Sequence, residues 1–242
     1  MVNMKTKLKF KNKKAVVAEY EKTAWCYDAD RSGGFEGRLI DTLQRELIYK
    51  IIKKSRSKKT LEAGCGTGRI LLYLAFKGLE CHGIDPSNNM LKQFKQKLEK
   101  HNIKISLKEG DIEHIPYKEN TFDCTFTVHV LMHLPDYKNA FKEMYRVTKK
   151  NGIVICDFPN KDSPWTKLSL LMNPNEERTR LFTIKELKDF FKNFNYEIIG
   201  IFSYARTFYK IPVIQFLVAL MERIIPLPMW FRRHLFIVVK KQ

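Results

Sequence analysis

Residues 58–70 read Lys-Lys-Thr-Leu-Glu-Ala-Gly-Cys-Gly-Thr-Gly-Arg-Ile: a short apolar run, one acid at Glu62, glycines at 64, 66 and 68, and the start of an apolar helical stretch. Alternating glycines let the backbone turn sharply and approach a ligand that any Cβ would push away. They also leave amides at a helix N-terminus pointing at that ligand. A dinucleotide fingerprint needs Gly-x-Gly-x-x-Gly, and here the third glycine comes one residue early. A carboxylate at Glu62, two residues before the first glycine, repels phosphate and suits a ligand that carries an ammonium group.

Outward from this loop, short apolar runs alternate with helical periodicity. Strands are expected at 60–64, 79–84, 103–108, 122–128, 152–158, 195–204 and 234–239, with helices at 69–77, 87–100, from 136 to 149, and from Thr183. Short connections between alternating strands and helices give right-handed crossovers and ligands at the carboxyl ends of the strands. The expected fold class is α/β: a doubly wound, mostly parallel, seven-stranded sheet in a catalytic domain spanning 55–242. Residues 1–54 form a basic tail and a helical cap, read as a helix, a glycine loop at 28–37, and a second helix from about Phe35 to Lys53.

The second strand ends Gly83-Ile84-Asp85-Pro86-Ser87, some twenty residues after the glycines. A carboxylate at that strand tip matches two adjacent ribose hydroxyls, so Asp85 is the candidate ribose ligand. Ser87 is placed to cap the following helix.

The order Glu62, Gly64, Gly66, Gly68 resembles the first motif, acid-x-Gly-x-Gly-x-Gly, of the class I S-adenosylmethionine-dependent methyltransferases, and the chain is similar to their small-molecule branch. The resemblance implies a Rossmann-like fold, S-adenosyl-L-methionine as methyl donor, and a glycine loop along the methionine part of that cofactor. It assigns Asp85 to the ribose, Pro86 to the flank of the adenine, and Asp111 and the Ile112 amide to the adenine edge. Tyr27 and Arg31 resemble a closing element, Tyr27 over the methionine end and Arg31 toward its carboxylate. The stretch His129-Val-Leu-Met-His-Leu-Pro-Asp136 resembles the element that borders the methyl-transfer cleft. His129 is the candidate catalytic group, since neutral imidazole can take a proton, with a structural role equally open. His133 is expected to bond backbone within its turn. Some relatives hold a metal ion with glutamates here; this chain has His129 and Met132 in those places, so no metal is expected.

Composition bounds the partners. The net charge is +18, from 32 Lys and 12 Arg against 26 acids, which favours nucleic acid by charge alone, but the lysines are spread over nearly every helix face and no aromatic RNA-binding motif accompanies them. Thr127-Val128-His129 is not the Asn-Pro-Pro-Tyr corner of base-nitrogen methylation, and the chain has no Pro-Cys pair for cytosine C5 chemistry. The five cysteines form no Cys-x-x-Cys pair and read as buried free thiols of a reducing compartment. The run of lysines from Lys5 to Lys14 has no signal-peptide core after it, so a solvated tail and a cytoplasmic, or membrane-peripheral, location are expected.

The departure from the family's pattern is an aromatic and apolar insertion at 208–233, broken by Gln215, Glu222, Arg223 and two prolines. It is too interrupted to span a bilayer. It can lie at a membrane interface, line an acceptor pocket, form a dimer contact, or pack on the domain's own core. The expected function is methyl transfer to a small, lipophilic O, N or C nucleophile. The alternatives are an RNA methyltransferase and a non-catalytic regulatory partner that binds the cofactor.

Overall fold

A computed structural model describes residues 13–172, 179–201 and 228–242. The strands are β1 (Lys59–Ala63), β2 (Glu80–Asp85), β3 (Ser106–Glu109), β4 (Phe122–Thr127), β5 (Thr148–Pro159), β6 (Asn195–Ile201) and β7 (His234–Lys240). They form one sheet in the order β3-β2-β1-β4-β5-β7-β6. Pairs within β3 to β5 are parallel, and β7 runs antiparallel to both β5 and β6. The chain first winds outward from β1 to β3 and then crosses back to β4. The switch point therefore falls between β1 and β4, where loops diverge and leave a crevice.

The helices are α1 (Lys13–Thr23), α2 (Tyr27–Ser32), α3 (Gly34–Lys54), α4 (Arg69–Phe76), α5 (Asn88–His101), α6 (Tyr137–Val147), α7 (Pro164–Met172) and α8 (Ile184–Phe191). Burial explains the strand sequences: β1 and β4 are covered on both faces, so Leu61, Ala63, Phe122, Cys124 and Phe126 are all inside. One apolar layer packs α6 and α8 against the sheet through Tyr137, Phe141, Phe158, Phe182 and Phe191. The other packs α3, α4 and α5 through Ile48, Ile52, Leu71, Leu74 and Phe94.

Local chemistry fixes the helix starts that matter for the crevice. Ser87 Oγ accepts the Met90 amide and caps α5, and Thr183 does the same for Glu186 at α8. Gly68 stands in the left-handed region (φ 79°) immediately before α4. A Cβ there would overlap the Phe94 ring, and one at Gly64 would overlap Val130.

Three expectations change. The glycine loop expected at 28–37 contains a helix, α2, because Tyr27 to Ser32 has good N-terminal acids, Asp28 and Asp30, and glycine enters only at 33. The end of the lysine run is not a solvated tail: Lys13 and Lys14 begin α1, and Lys13 is ion-paired. Between β5 and α8, where no helix or strand is expected from the sequence, stands α7. Most of the 208–233 insertion lies outside the described residues; its end is a 3₁₀ turn, Met229–Phe231, with Phe231 edge-on to Trp165. Among the described residues no helix is long and apolar enough to cross a membrane. All five cysteines are buried, and none forms a disulfide among the described residues.

Candidate active site

The crevice at the carboxyl edge is a hollow of about 740 Å³, counted with its open mouth. Its floor is Gly64 and Gly66 from the loop after β1, and one wall is Asp85, Pro86 and Ser87 from the tip of β2. Asp111 and Ile112 follow β3, Val128 to Val130 follow β4, and α1 and Tyr27 close over the top. Residues from three successive parallel strand tips thus meet in one cavity.

Asp85 is held for accepting further bonds. Its Oδ2 takes the Gly66 amide at 2.7 Å and its Oδ1 the Ser87 amide at 2.9 Å. Each oxygen keeps a lone pair free. Burial pushes its carboxyl up to about 6, opposed by those two amides. Gly66 has φ 51° and nothing within 4 Å of where a Cβ would be, so a side chain there would project into open space.

Glu62 is not in the lining. It lies behind the loop, 4% exposed, beside the Leu71 amide at the start of α4. Its Oε2 is buried with no hydrogen-bond partner among the described residues. Burial pushes its carboxyl up to about 8; Arg69 opposes the shift and the charge of Asp85 adds to it.

Asp111 is already engaged. Lys13 Nζ on α1 reaches both its oxygens at 2.5 Å and also meets Glu113. Burial works against ionisation of Asp111, but the Lys13 ammonium and the Glu113 amide outweigh it and hold the carboxyl below its usual range. Ile112 is buried and lines the hollow.

The cap is tied to the glycine loop by Asp28, which accepts from Thr67 Oγ1 at 2.6 Å and pairs with Lys97 on α5. Tyr27 lines the hollow, edge-on to Tyr20 at 5.9 Å. Arg31 is not in the lining, yet its charge reaches Tyr20, His129 and His133. The expected backbone partner of His133 is replaced by a side chain: its Nε2 lies 3.1 Å from Tyr20 Oη. Burial pulls His133 down to about 4, partly countered by Asp157.

His129 caps β4 in the left-handed region (φ 59°), a conformation uncommon outside glycine and concentrated at functional positions. Its amide donates to Asp157 Oδ1 at 2.7 Å. Gln44 of α3 donates its Nε2 amide to His129 Nε2 at 2.7 Å, while Gln44 Oε1 accepts from Arg69 at 3.2 Å. Arg69 also pairs with buried Asp41. The imidazole is mostly buried, with its side chain 10% exposed, and burial, with Arg31 next, holds it well below the usual histidine range and therefore neutral. Its Nε2 lone pair is occupied by Gln44, so His129 is a positioned wall of the hollow rather than a free base for a substrate proton.

Sequence inspection missed Asp41, Gln44, Asp157 and His234. Asp157 left a readable signal, an acid inside the apolar run Ile153-Val-Ile-Cys-Asp-Phe158. It is 1% exposed, and an acid in a doubly covered strand needs a reason. Gln44 left no comparable signal, since a glutamine at helical spacing looks like any surface residue.

The topology and the cavity define an open α/β sheet with a hollow at its switch point. Residues 61–156 match the family model described as a methyltransferase domain. A demethylmenaquinone methyltransferase of a Geobacillus species is 36% identical over 116 residues, 46% of this chain and 50% of that protein. An uncharacterised protein of Methanocaldococcus jannaschii is 36% identical over 133 residues, 52% of this chain and 55% of that one. The matches thus span about half the length of these curated relatives. Among solved structures, the magnesium protoporphyrin IX methyltransferase of Synechocystis, with SAM bound, superposes with a TM-score of 0.65 at 14% identity, covering 98% of this chain and 100% of that one. A S-adenosylmethionine-dependent methyltransferase of Clostridium acetobutylicum gives 0.61 at 16%, covering 92% and 98%. These likenesses show the fold.

The residues fit the cofactor of that family. The glycine floor leaves room at Gly66, a carboxylate with spare lone pairs stands at the β2 tip, and a buried carboxylate oxygen at Glu62 lacks a partner among the described residues. Apolar side chains of Met90, Ile112 and Leu134 offer faces for a purine.

Proposed function

We propose that this protein transfers a methyl group from S-adenosylmethionine to a small, lipophilic nucleophile. The observation that carries this reading is the single hollow in which Gly64, Gly66, Asp85 and Ile112 meet at the switch point, next to His129. Asp85 is assigned the ribose hydroxyls, Glu62 and Arg31 the charged ends of the methionine, Ile112 and Asp111 the adenine edge, and Tyr27 the cover. At the adenine edge Lys13 and the ligand share Asp111, so binding involves a rearrangement of the start of α1.

When bound, the cofactor supplies an electrophilic methyl on a sulfonium. What is asked of the protein is alignment and exclusion of water. The cap does the second: α1 is pinned across the hollow by Lys13 to Asp111, Tyr20 to His133 and Glu21 to the Asn89 amide. His129, neutral and held at both ends by Gln44 and Asp157, gives the hollow a wall of fixed shape on the acceptor side.

The lipophilic acceptor is favoured by the apolar and aromatic composition of 208–233 and by the demethylmenaquinone methyltransferases among the relatives. A peripheral contact of that stretch with lipid belongs to the same proposal. Labelled methyl from the cofactor, followed into lipid, small-metabolite, RNA and protein fractions of a cell extract, tests it. Label in the lipid or small-metabolite fraction supports the proposal, label confined to RNA supports the alternative raised by the charge of +18, and cofactor binding without any label supports a regulatory role.

A further inference from the structure

Next to the hollow, on its far side from Asp85, three buried ring and carboxylate atoms face one another: His129 Nδ1, Asp157 Oδ2 and His234 Nδ1. They come from the tips of β4, β5 and β7. Because β7 runs antiparallel, its first residue, His234, stands opposite Pro159 at the same edge of the sheet where β4 and β5 end. Among the described residues none of the three atoms has a hydrogen-bond partner, although Asp157 is 1% exposed and an unpartnered carboxylate oxygen at that depth is costly.

Asp157 Oδ2 lies 3.5 Å from His129 Nδ1 and 3.6 Å from His234 Nδ1, too far for the hydrogen bonds such groups make when they close on each other. They are the separations of ligands around one ion: at a metal–ligand distance near 2.1 Å, a tetrahedral edge is about 3.4 Å. All three atoms lie within 4.8 Å of one another. The other oxygen of Asp157 is fixed by the His129 amide, so the carboxylate cannot swing to relieve the gap without giving up that bond.

We propose that His129, Asp157 and His234 form a binding site for a divalent first-row transition metal ion, of the zinc type. Two imidazoles and one carboxylate make a borderline set with positions left open, the pattern of a site that takes an exogenous ligand. Such an ion needs the Nδ1 lone pair of His129, so the ring proton moves to Nε2. Half a turn of the Gln44 amide then presents Oε1 to that N–H, the outer-sphere carbonyl that ligating histidines commonly use, and Arg69 keeps Asp41 as its partner. The ion would stand on the acceptor side of His129, where, if the methyl-transfer reading holds, it can take an acceptor oxygen as its further ligand. Metal binding itself is independent of that reading, and it goes against the absence of metal expected from the sequence.

The test is a titration of tag-free, chelator-treated protein with Zn²⁺ by calorimetry and with Co²⁺ by visible absorption, with no methyl-transfer assay involved. The expected result is one equivalent bound, with Co²⁺ d–d bands of a low-coordinate nitrogen and oxygen site and no thiolate charge-transfer band from the five cysteines. Asp157→Asn, which keeps an acceptor for the His129 amide, and His234→Ala, at the sheet's edge, should each weaken binding by more than roughly 100-fold, beyond the loss of an outer hydrogen bond. Circular dichroism of both variants checks that they remain folded. Absence of stoichiometric binding by the parent protein, binding that folded variants retain, or a thiolate band would overturn the site. Failure of the labelled-methyl experiment, with metal binding intact, counts against the proposed function and not against the metal.

Discussion

Glu62 offers the sharpest test of the cofactor assignment, because its buried carboxyl is in the wrong protonation state to receive a cation. With the group pushed up to about 8 in the empty protein, roughly nine molecules in ten carry the proton at pH 7. A ligand ammonium that draws on Oε2 needs the carboxylate, so binding must expel about 0.9 proton at pH 7, and deprotonation costs about 1.4 kcal/mol of the affinity. Asp85, at about 6, is already mostly ionised there and adds little to the count. Calorimetric titration of S-adenosylmethionine in two buffers of different ionisation enthalpy reads the proton number directly. Between pH 6.5 and 8 the affinity should rise, by about ninefold per pH unit at the lower end and about threefold per unit near pH 8. Glu62→Gln keeps an acceptor for the Leu71 amide but cannot ionise; it should abolish the proton release and weaken binding by about 1.5–3 kcal/mol, the range for a hydrogen bond to a charged group. Equal enthalpies in both buffers, together with unchanged affinity in Glu62→Gln, would refute the role of Glu62.

The same two carboxyls govern the stability of the empty protein. Both have folded-state values above their ordinary ones, so the protonated forms favour the fold. Their contribution is complete below about pH 4, and it is lost as pH rises through about 6 for Asp85 and about 8 for Glu62, an effect on the order of a few kcal/mol; chemical denaturation at pH 5, 7 and 9 should show the decline. Asp85→Ala should weaken cofactor binding by about 1–3 kcal/mol, measured by calorimetry. Gly66→Ala, with open space around its Cβ, should cost only about 1 kcal/mol of backbone strain yet impair cofactor binding, whereas Gly68→Ala should unfold the loop against Phe94, as thermal melts of the pair would show. Lys13→Ala should speed amide hydrogen exchange across α1 and leave α5 unchanged, since the link to Asp111 and Glu113 is what fixes the start of that helix.

The cofactor half of this chain is legible in its sequence because backbone constraints leave marks. Gly64 and Gly68 are there because a Cβ would overlap Val130 and Phe94, and Asp85 and Ser87 sit at fixed offsets from a strand end. The cap was less legible: α2 lies where glycines suggested a loop, and the attachment of Lys13 to Asp111 joins residues 98 apart. The cluster of Gln44, His129, Asp157 and His234 was least legible of all. Its members come from one helix and three strands, and only the reversed direction of β7 brings the last of them to the same edge. No local pattern encodes a meeting of that kind.

That reversal has a consequence for how such a chain can diversify. Ile201 at the end of β6 pairs with His234 at the start of β7, so whatever joins them leaves and rejoins the sheet at neighbouring points on the rim of the crevice. Lengthening a connection whose ends are already held together costs little entropy, and it disturbs no strand register. Evolution can rewrite the 32 residues between those anchors, 202–233, while the strand tips that line the hollow stay untouched.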